Sequence, residues 1–197
     1  MIKLILTSLL IAFSFTGCLA PWVVTFNPED MKEAVTHETY KVENTSIQIK
    51  DLSEEVIEKK LSKIAARAYQ LKPKAMNFTA AEESFGKYFK NIKTSNGDIV
   101  IESKIVDFQI EQFVNMLTMT SDVTTGITMD VKVLYKNKIL INKTYNDKEF
   151  NAIIATKNNL LTNDILNVTY KQLAMNMVDI YQEQIIPDLL KALKGNL

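Results

Sequence analysis

The stretch ITMDVKVLYKNKILINKTY, Ile127–Tyr145, decides the fold class because its pattern is the most regular in the chain. Apolar and polar residues alternate in its first half, and this period of two is typical of a β-strand with one buried face. The apolar positions are Ile127, Met129, Val131, Val133 and Tyr135. Lys136-Asn137-Lys138 then predicts a tight turn, and a second alternation from Ile139 to Tyr145 predicts the return strand of an antiparallel hairpin.

A long strand is also predicted before the hairpin, over residues 98–113. Its apolar residues occupy odd positions up to Ile105 and even positions from Val106 onward. Because a shift of one residue moves side chains to the other face of a sheet, we expect a bulge near Ser103–Val106. The Thr- and Ser-rich residues 116–125 then predict a loop or a ragged strand end.

Two helices are predicted in the first half of the chain from the spacing of apolar residues and from capping residues. The first covers residues 51–69, opens with a capping-box pattern at Asp51 and ends before Pro73. The second covers residues 79–92 and opens with the same pattern at Thr79. A strand is predicted just before them, over residues 39–49.

A long C-terminal helix is predicted from Thr162 or Asn163 onward. Its apolar stripe is expected in the core and consists of Leu166, Tyr170, Leu173, Met177, Ile180 and Tyr181. Pro187 lacks a backbone donor and should kink or end this helix. The apolar residues Leu189 to Leu193 are expected to pack on the core, with contact to a partner or a membrane as the alternative.

Together these elements predict an α+β fold, in which helices pack on one face of an antiparallel sheet and a long helix ends the chain. We expect residues 1–17 to be a lipoprotein signal peptide and residues 18–38 to hold a lipidated cysteine and a tether with a possible first strand. Residues 39–197 are then a single domain. A mature chain of 180 residues is long enough to bury one core.

The N-terminal segment predicts secretion. The apolar stretch after Lys3 is about a dozen residues long, whereas a span of the bilayer needs ~20. A positive start, a short apolar core and a small residue before the cleavage site are typical of a secretory signal. Trp22, four residues after the chain's single cysteine, Cys18, is expected either among lipid headgroups or over the core beside a strand.

The residues Phe15-Thr16-Gly17-Cys18 resemble the bacterial lipobox, with Phe15 where Leu is usual. The resemblance implies that a diacylglycerol is attached to the Cys18 thiol and that the chain is cut before Cys18. A lone cysteine forms no internal disulfide, and lipidation gives it a role. Two or more acyl chains anchor a protein stably. Leu19 rather than Asp after the cysteine implies, by the sorting rule of enteric bacteria, the outer membrane.

Composition argues against two functional classes. The chain has 23 basic and 23 acidic residues, so it lacks the basic surface that nucleic acid requires. His37 is the sole histidine and Cys18 serves the anchor, so we expect no catalytic residues, no metal ligands and no cofactor. We therefore expect the protein not to be an enzyme. Asn-x-Ser/Thr triplets, including the one at Asn77, are attributed to chance.

The order of the elements adds a resemblance. The lipobox, the segment NGDIVIESKIVDFQIEQ, the hairpin of residues 127–145 and the helix NDILNVTYKQLAMNMVDIYQ resemble small outer-membrane lipoproteins of the YajG type. The chain is more loosely similar to LptE and to auxiliary lipoproteins of lipid-transporting ABC systems. This resemblance covers residues 99–182 best, rests on the order of elements, and transfers no functional residue except the lipidated Cys18.

Two functions follow as hypotheses for a lipoprotein facing the periplasm. The first is a non-catalytic accessory or scaffold subunit of an envelope transport or assembly complex, which predicts an exposed apolar patch at residues 185–193 or 116–119. The alternative is a carrier of a lipid or other apolar ligand. It predicts a cavity between sheet and helices. Its expected lining is Phe85, Phe89, Phe108, Leu173 and Met177.

Overall fold

The computed structural model describes residues 22–24, 31, 42–60, 68–115, 120–147, 150–155 and 163–194. The strands are β1 (Trp22–Val24), β2 (Val42–Asp51), β3 (Ile57–Lys60), β4 (Ala68–Leu71), β5 (Phe89–Lys93), β6 (Ile99–Asn115), β7 (Thr120–Tyr135), β8 (Lys138–Asn146) and β9 (Phe150–Ala155). The helices are α1 (Pro73–Gly86), α2 (Asn163–Asp179) and α3 (Ile186–Lys194), and a π-helical segment (Ile180–Ile185) joins α2 to α3. The chain therefore has a mixed α/β fold with a C-terminal helix.

The main sheet has six strands in the described part of the chain, in the order β5-β2-β6-β7-β8, with β9 paired to the first part of β7. The pairs β6–β7, β7–β8 and β7–β9 are antiparallel. Strand β2, however, is parallel to both β5 and β6, so the prediction of a purely antiparallel sheet is wrong at this side. The strands β1, β4 and β3 form a second, small sheet.

The parallel pairings exist because the chain steps across β2 between β5 and β6. Ile92 at the end of β5 and Ile99 at the start of β6 both lie opposite Ile47. Residues 94–98 therefore only cross one strand, whereas a parallel connection that returns along a strand needs about a dozen residues or more. At the crossing, Gly97 lies directly on the β2 backbone, where a Cβ would be 2.6 Å from the amide nitrogen of Gln48.

The hairpin predicted from residues 127–145 is confirmed. Lys136 and Asn137 form its turn with φ of 47° and 66°. Such left-handed values at both central residues match the twist of the flanking strands. The bulge predicted in the preceding strand is also confirmed, since the register of β6 against β7 shifts between Ile105 and Asp107. Residues 120–125 belong to β7, and residues 116–119 lie outside the described residues.

The helix predicted for residues 51–69 is wrong. Asp51 ends β2, and its carboxylate accepts a hydrogen bond from the Ser53 amide at 2.8 Å, so it closes a turn instead of capping a helix. Strand β3 follows, and its first residue, Ile57, pairs with Leu71 of β4. Long-range pairing has therefore overridden the local helical spacing. Residues 61–67 lie outside the described residues.

The second predicted helix has different ends. It begins at Pro73, which the sequence pattern predicts to follow a helix but which occupies the first turn of this one, where its missing N–H costs nothing. Thr79 consequently lies inside α1 rather than at its cap. The helix ends at Gly86, and residues 89–92, predicted to be helical, belong to edge strand β5. Strand 39–49 is confirmed as β2, with bounds Val42–Asp51.

The C-terminal helix is confirmed, but it does not end at Pro187. The π-helical segment precedes the proline, and the Ile186 amide donates to the Tyr181 carbonyl. The predicted stripe is buried wherever its side chains are described, with exposures of 9% for Tyr170 and 0% for Leu173, Met177, Ile180 and Tyr181. Leu189 and Leu193 are also buried, which confirms packing of the tail on the core. An exposed apolar patch at residues 185–193 is therefore wrong.

Candidate functional site

The predicted anchor, Cys18, lies outside the described residues, so its lipidation stays a prediction. Strand β1 begins at Trp22, only four residues later. At ~3.3–3.6 Å per extended residue, that segment spans at most about 14 Å. Trp22 pairs with Tyr69 of β4, which in turn pairs with Lys59 of β3. A lipid on Cys18 would therefore hold this end of the small sheet next to the bilayer.

The ligand cavity predicted for a carrier is filled. Phe85, Phe108, Leu173, Met177 and Phe89 are each no more than 1% exposed and belong to one hydrophobic cluster. The rings of Phe85 and Phe89 pack edge to face with centroids 6.0 Å apart. Side chains that line a cavity wide enough for a lipid would have surface exposed to that cavity, whereas these five side chains have almost none. The predicted cavity at these positions is therefore wrong.

A polar cluster lies inside this core. The Asn77 side-chain amide donates to Asp51 Oδ1 at 2.8 Å and to Ser103 Oγ at 2.9 Å. The Tyr181 hydroxyl donates to Asn77 Oδ1 at 2.6 Å and lies 3.0 Å from Ser103 Oγ. Ser53 Oγ accepts from the Ile105 amide at 3.0 Å. The cluster thus connects β2, α1, β6 and the π-helical segment.

The Tyr181 hydroxyl is a hydrogen-bond donor at the centre of this cluster. Burial, together with the negative charge of Asp51, raises the pKa of Tyr181, so the phenol stays a neutral donor. No histidine or cysteine among the described residues could activate a serine here. The sequence alone does not reveal the cluster, because the Asn-x-Thr triplet at Asn77 is attributed to chance and the helical spacing of Tyr181 predicts only a core position. Most of these buried polar atoms satisfy one another, which favours a single packing arrangement, whereas Asp51 Oδ2 is buried without a hydrogen-bond partner among the described residues.

A second set of polar contacts fixes α3 to strand β8 at the surface. Asp188 Oδ2 accepts from Lys143 Nζ at 3.0 Å and from the Tyr145 hydroxyl at 2.8 Å. The Lys143 ammonium also lies 4.6 Å from the centroid of the Tyr145 ring. These hydrogen bonds lower the pKa of Asp188, while burial and the Asp188 carboxylate raise the pKa of Tyr145. Gln184 Nε2 donates to the Asn146 carbonyl at 2.7 Å and extends the attachment.

A groove of about 490 Å³ lies between β8 and α3 beside these contacts. Its lining residues are Leu140, Ile141, Asn142, Lys143, Asp188, Lys191 and Ala192. It is an open hollow on the surface, and its size is within the ~300–1,000 Å³ typical of binding clefts. Because α3 is held by charged hydrogen bonds, both walls of the groove are already in place.

Among the residues that the structure describes, no three His, Cys, Asp or Glu side chains come close enough to hold a metal ion. No helix in that part of the chain combines the length and apolar character needed to cross a bilayer.

Comparisons with known proteins establish the fold class. No protein-family profile matches the chain, and no curated protein matches it in sequence. The fold is similar to the crystal structure of a Xanthomonas campestris protein of the DUF330 family, with a TM-score of 0.52 and 10% identity. That match covers 90% of this chain and 98% of the other. At this identity the comparison shows a shared fold alone.

Solved structures of lower similarity include two bacterial lipoproteins. Rare lipoprotein B of Shewanella oneidensis has a TM-score of 0.43 and 9% identity, over 73% of this chain and 97% of the other. A minor lipoprotein of Acinetobacter baumannii has a TM-score of 0.38 and 10% identity, over 77% of this chain and 94% of the other. These two likenesses are too distant to carry an argument about this chain.

Proposed function

We propose that the protein is a bacterial outer-membrane lipoprotein of the YajG-like kind, anchored through Cys18 and facing the periplasm. In this role it is a non-catalytic accessory or scaffold subunit of an envelope transport or assembly complex. The observation that carries the proposal is the lipobox-like Phe15-Thr16-Gly17-Cys18, which contains the only cysteine of the chain. Strand β1 starts four residues after it, so the anchor and the folded domain are closely coupled.

The interior supports a contact function over a carrier function. The side chains expected around a ligand are packed against one another with 0–1% exposure. The side chains of the internal polar cluster hydrogen-bond to one another, and no histidine or cysteine among the described residues lies there to activate a serine. A domain with such an interior acts through its surface. In this proposal the helices cover one face of the main sheet, and the other face and the edges remain for partners.

The first experiment tests the anchor. Mass spectrometry of the native protein should find a mature chain that begins at Cys18 and carries diacylglyceryl and acyl groups. Cys18→Ser is the matched variant, because it removes only the sulfur and should accumulate as an unprocessed precursor. An unmodified thiol on an uncleaved native chain would refute the proposal. Membrane fractionation of the wild type then separates outer from inner membrane.

The second experiment tests the accessory role. Wild type carrying an affinity tag is cross-linked in intact cells, extracted in detergent and compared with Cys18→Ser. Enrichment of defined transport or assembly proteins of the envelope with the anchored form alone is the expected result. If neither form enriches an envelope protein above a tagged unrelated lipoprotein, the accessory role is wrong even when the anchor is present.

A further inference from the structure

The outer edge of β8 has no strand partner among the described residues. In that part of the chain β8 pairs with β7 alone, so no described strand pairs with the backbone N–H and C=O groups on its other side from Ile139 to Tyr145. Ile139 at its start is 53% exposed. An edge of this kind is a template for another extended chain unless something covers or blocks it.

The groove beside β8 has the geometry of a strand-binding cleft. Four consecutive residues, Leu140 to Lys143, line it. Leu140 is the extra residue where the register of β7 against β8 shifts, and Ile141, Asn142 and Lys143 follow in regular pairing. Since consecutive regularly paired residues point to opposite faces, a hollow lined by these three reaches the edge of the strand. Helix α3 forms the opposite wall through Asp188, Lys191 and Ala192. An edge strand facing a helix is the arrangement in which domains take up extended peptides by strand addition.

The charges of the groove indicate which strand it accepts. Its lining has two cations, Lys143 and Lys191, and one anion, Asp188. Asp188 is already engaged by Lys143 and by the Tyr145 hydroxyl. Lys191 is exposed, and its charge acts on Asp188 without a hydrogen bond between them in the described residues. With two cations and one anion, the lining presents a net positive charge to an incoming chain. An acidic side chain complements it.

We propose that this groove binds an extended, acidic segment of a partner protein, which adds to the main sheet along β8. Apolar side chains of the segment enter beside Leu140 and Ala192, and a carboxylate pairs with Lys191. The proposal rests on the accessory role proposed above and names its contact surface. A second copy of this chain fits poorly, because a twofold pairing of β8 would bring the Lys143 and Lys191 charges of both copies to one interface.

The probe is a displayed library of random ten-residue peptides, selected against the full mature chain in detergent micelles. Enriched peptides are synthesised with fluorescein, and their Kd is measured by anisotropy. They should alternate apolar and polar residues with an excess of Asp and Glu. Lys191→Glu should raise Kd about tenfold or more, as expected when a charged contact is reversed. Lys194→Glu is the matched control, since both lysines lie in the last turn of α3 but only Lys191 lines the groove.

Hydrogen–deuterium exchange locates the bound peptide. Slower amide exchange at residues 139–143 in the complex, together with the effect of Lys191→Glu, supports the proposal. Failure to enrich peptides, equal effects of the two lysine variants, or protection elsewhere would overturn it. Protection of β8 that grows with protein concentration in the absence of peptide would show a second copy and also overturn it. Because Cys18→Ser leaves the groove intact, peptide binding by that variant separates a failed anchor from a failed groove.

Discussion

Replacing Gly97 tests whether the step across β2 holds the sheet together. A Cβ at this position would lie 2.6 Å from the Gln48 amide nitrogen, 2.8 Å from Gln48 Cβ and 2.9 Å from the Ile47 carbonyl carbon. Two of these atoms are backbone, and β2 is held on both sides by β5 and β6, so the strand cannot yield. In Gly97→Ala the crossing segment must lift away from the strand.

The cost follows from what the segment loses. Ser46 donates from its amide at 2.9 Å and from its hydroxyl at 2.6 Å to the Asp98 carboxylate, and Gln48 donates to the Thr94 carbonyl at 3.0 Å. Weakening these bonds and overpacking the contact should lower the free energy of unfolding by about 2–4 kcal/mol. With a urea m-value of roughly 2 kcal/mol/M, the midpoint falls by about 1–2 M.

Gly86→Ala is the matched control, measured by urea titration of the far-ultraviolet circular dichroism. It makes the same chemical change at the last residue of α1, where the nearest atom to a new Cβ is Ile92 Cδ1 at 3.9 Å. We expect it to be neutral or to stabilise by up to ~1 kcal/mol. If the urea midpoint of Gly97→Ala lies within about 0.3 M of the wild-type midpoint, the two stabilities are equal within error. The crossing is then not tightly packed, and the reasoning fails.

Three further predictions use the same titration. Tyr181→Phe leaves the buried Asn77 carbonyl without its donor and should lower the free energy of unfolding by about 1–3 kcal/mol. Tyr170→Phe removes a hydroxyl with no hydrogen bond in the described residues and should lower it by under ~0.5 kcal/mol. Equal losses in the two variants would contradict the role of the buried cluster. The hydrogen bonds from the Ser46 hydroxyl and amide lower the pKa of Asp98, so the contribution of Asp98 to stability is present above pH ~3.9 and is lost as pH falls through the lower pKa of the folded state. The difference in urea midpoint between wild type and Asp98→Asn should therefore narrow from pH 7 to pH 3, and a constant difference would contradict this role of Asp98. At the hairpin turn the φ of Asn137 is 66°, a left-handed value that glycine adopts freely and a β-branched residue does not. Asn137→Gly should therefore preserve or raise the free energy of unfolding, and Asn137→Val should lower it by about 1–2 kcal/mol. The opposite order would exclude this turn.

The parts of the fold that the sequence predicts well are set by neighbours along the chain. The hairpin from Ile127 to Tyr145 and the bulge at Ile105–Asp107 follow from a period of two and its one-residue slip. Residues 57–60 have helical spacing too, but they pair with strand β4, which ends at Leu71, and no local pattern reveals that pairing. Pro73 is ambiguous for the same reason, since it can end one helix or begin another.

The functional surface divides in the same way. A lipobox is readable because processing enzymes act on contiguous residues, so Cys18 can be proposed from sequence alone. The internal cluster joins Asn77 to Tyr181 across 104 residues, and the groove joins β8 to α3 across about half that separation. Such sites exist only after the chain has folded, because their geometry depends on the packing of remote segments.

The π-helical segment sets the rotation of everything after it. A π turn is equivalent to one residue added to an α-helix, and each α-helical residue turns the chain by roughly 100°. Deleting one residue between Ile180 and Ile185 would remove the π turn and keep the later side chains in phase, whereas winding the same residues as an ordinary α-helix would rotate the final helix by about that angle. Leu189 and Leu193 would then turn from the core toward solvent, and lysines of the same helix would turn toward the core. The π turn thus sets the rotational phase of the last helix, so that its apolar residues face the sheet beyond Pro187.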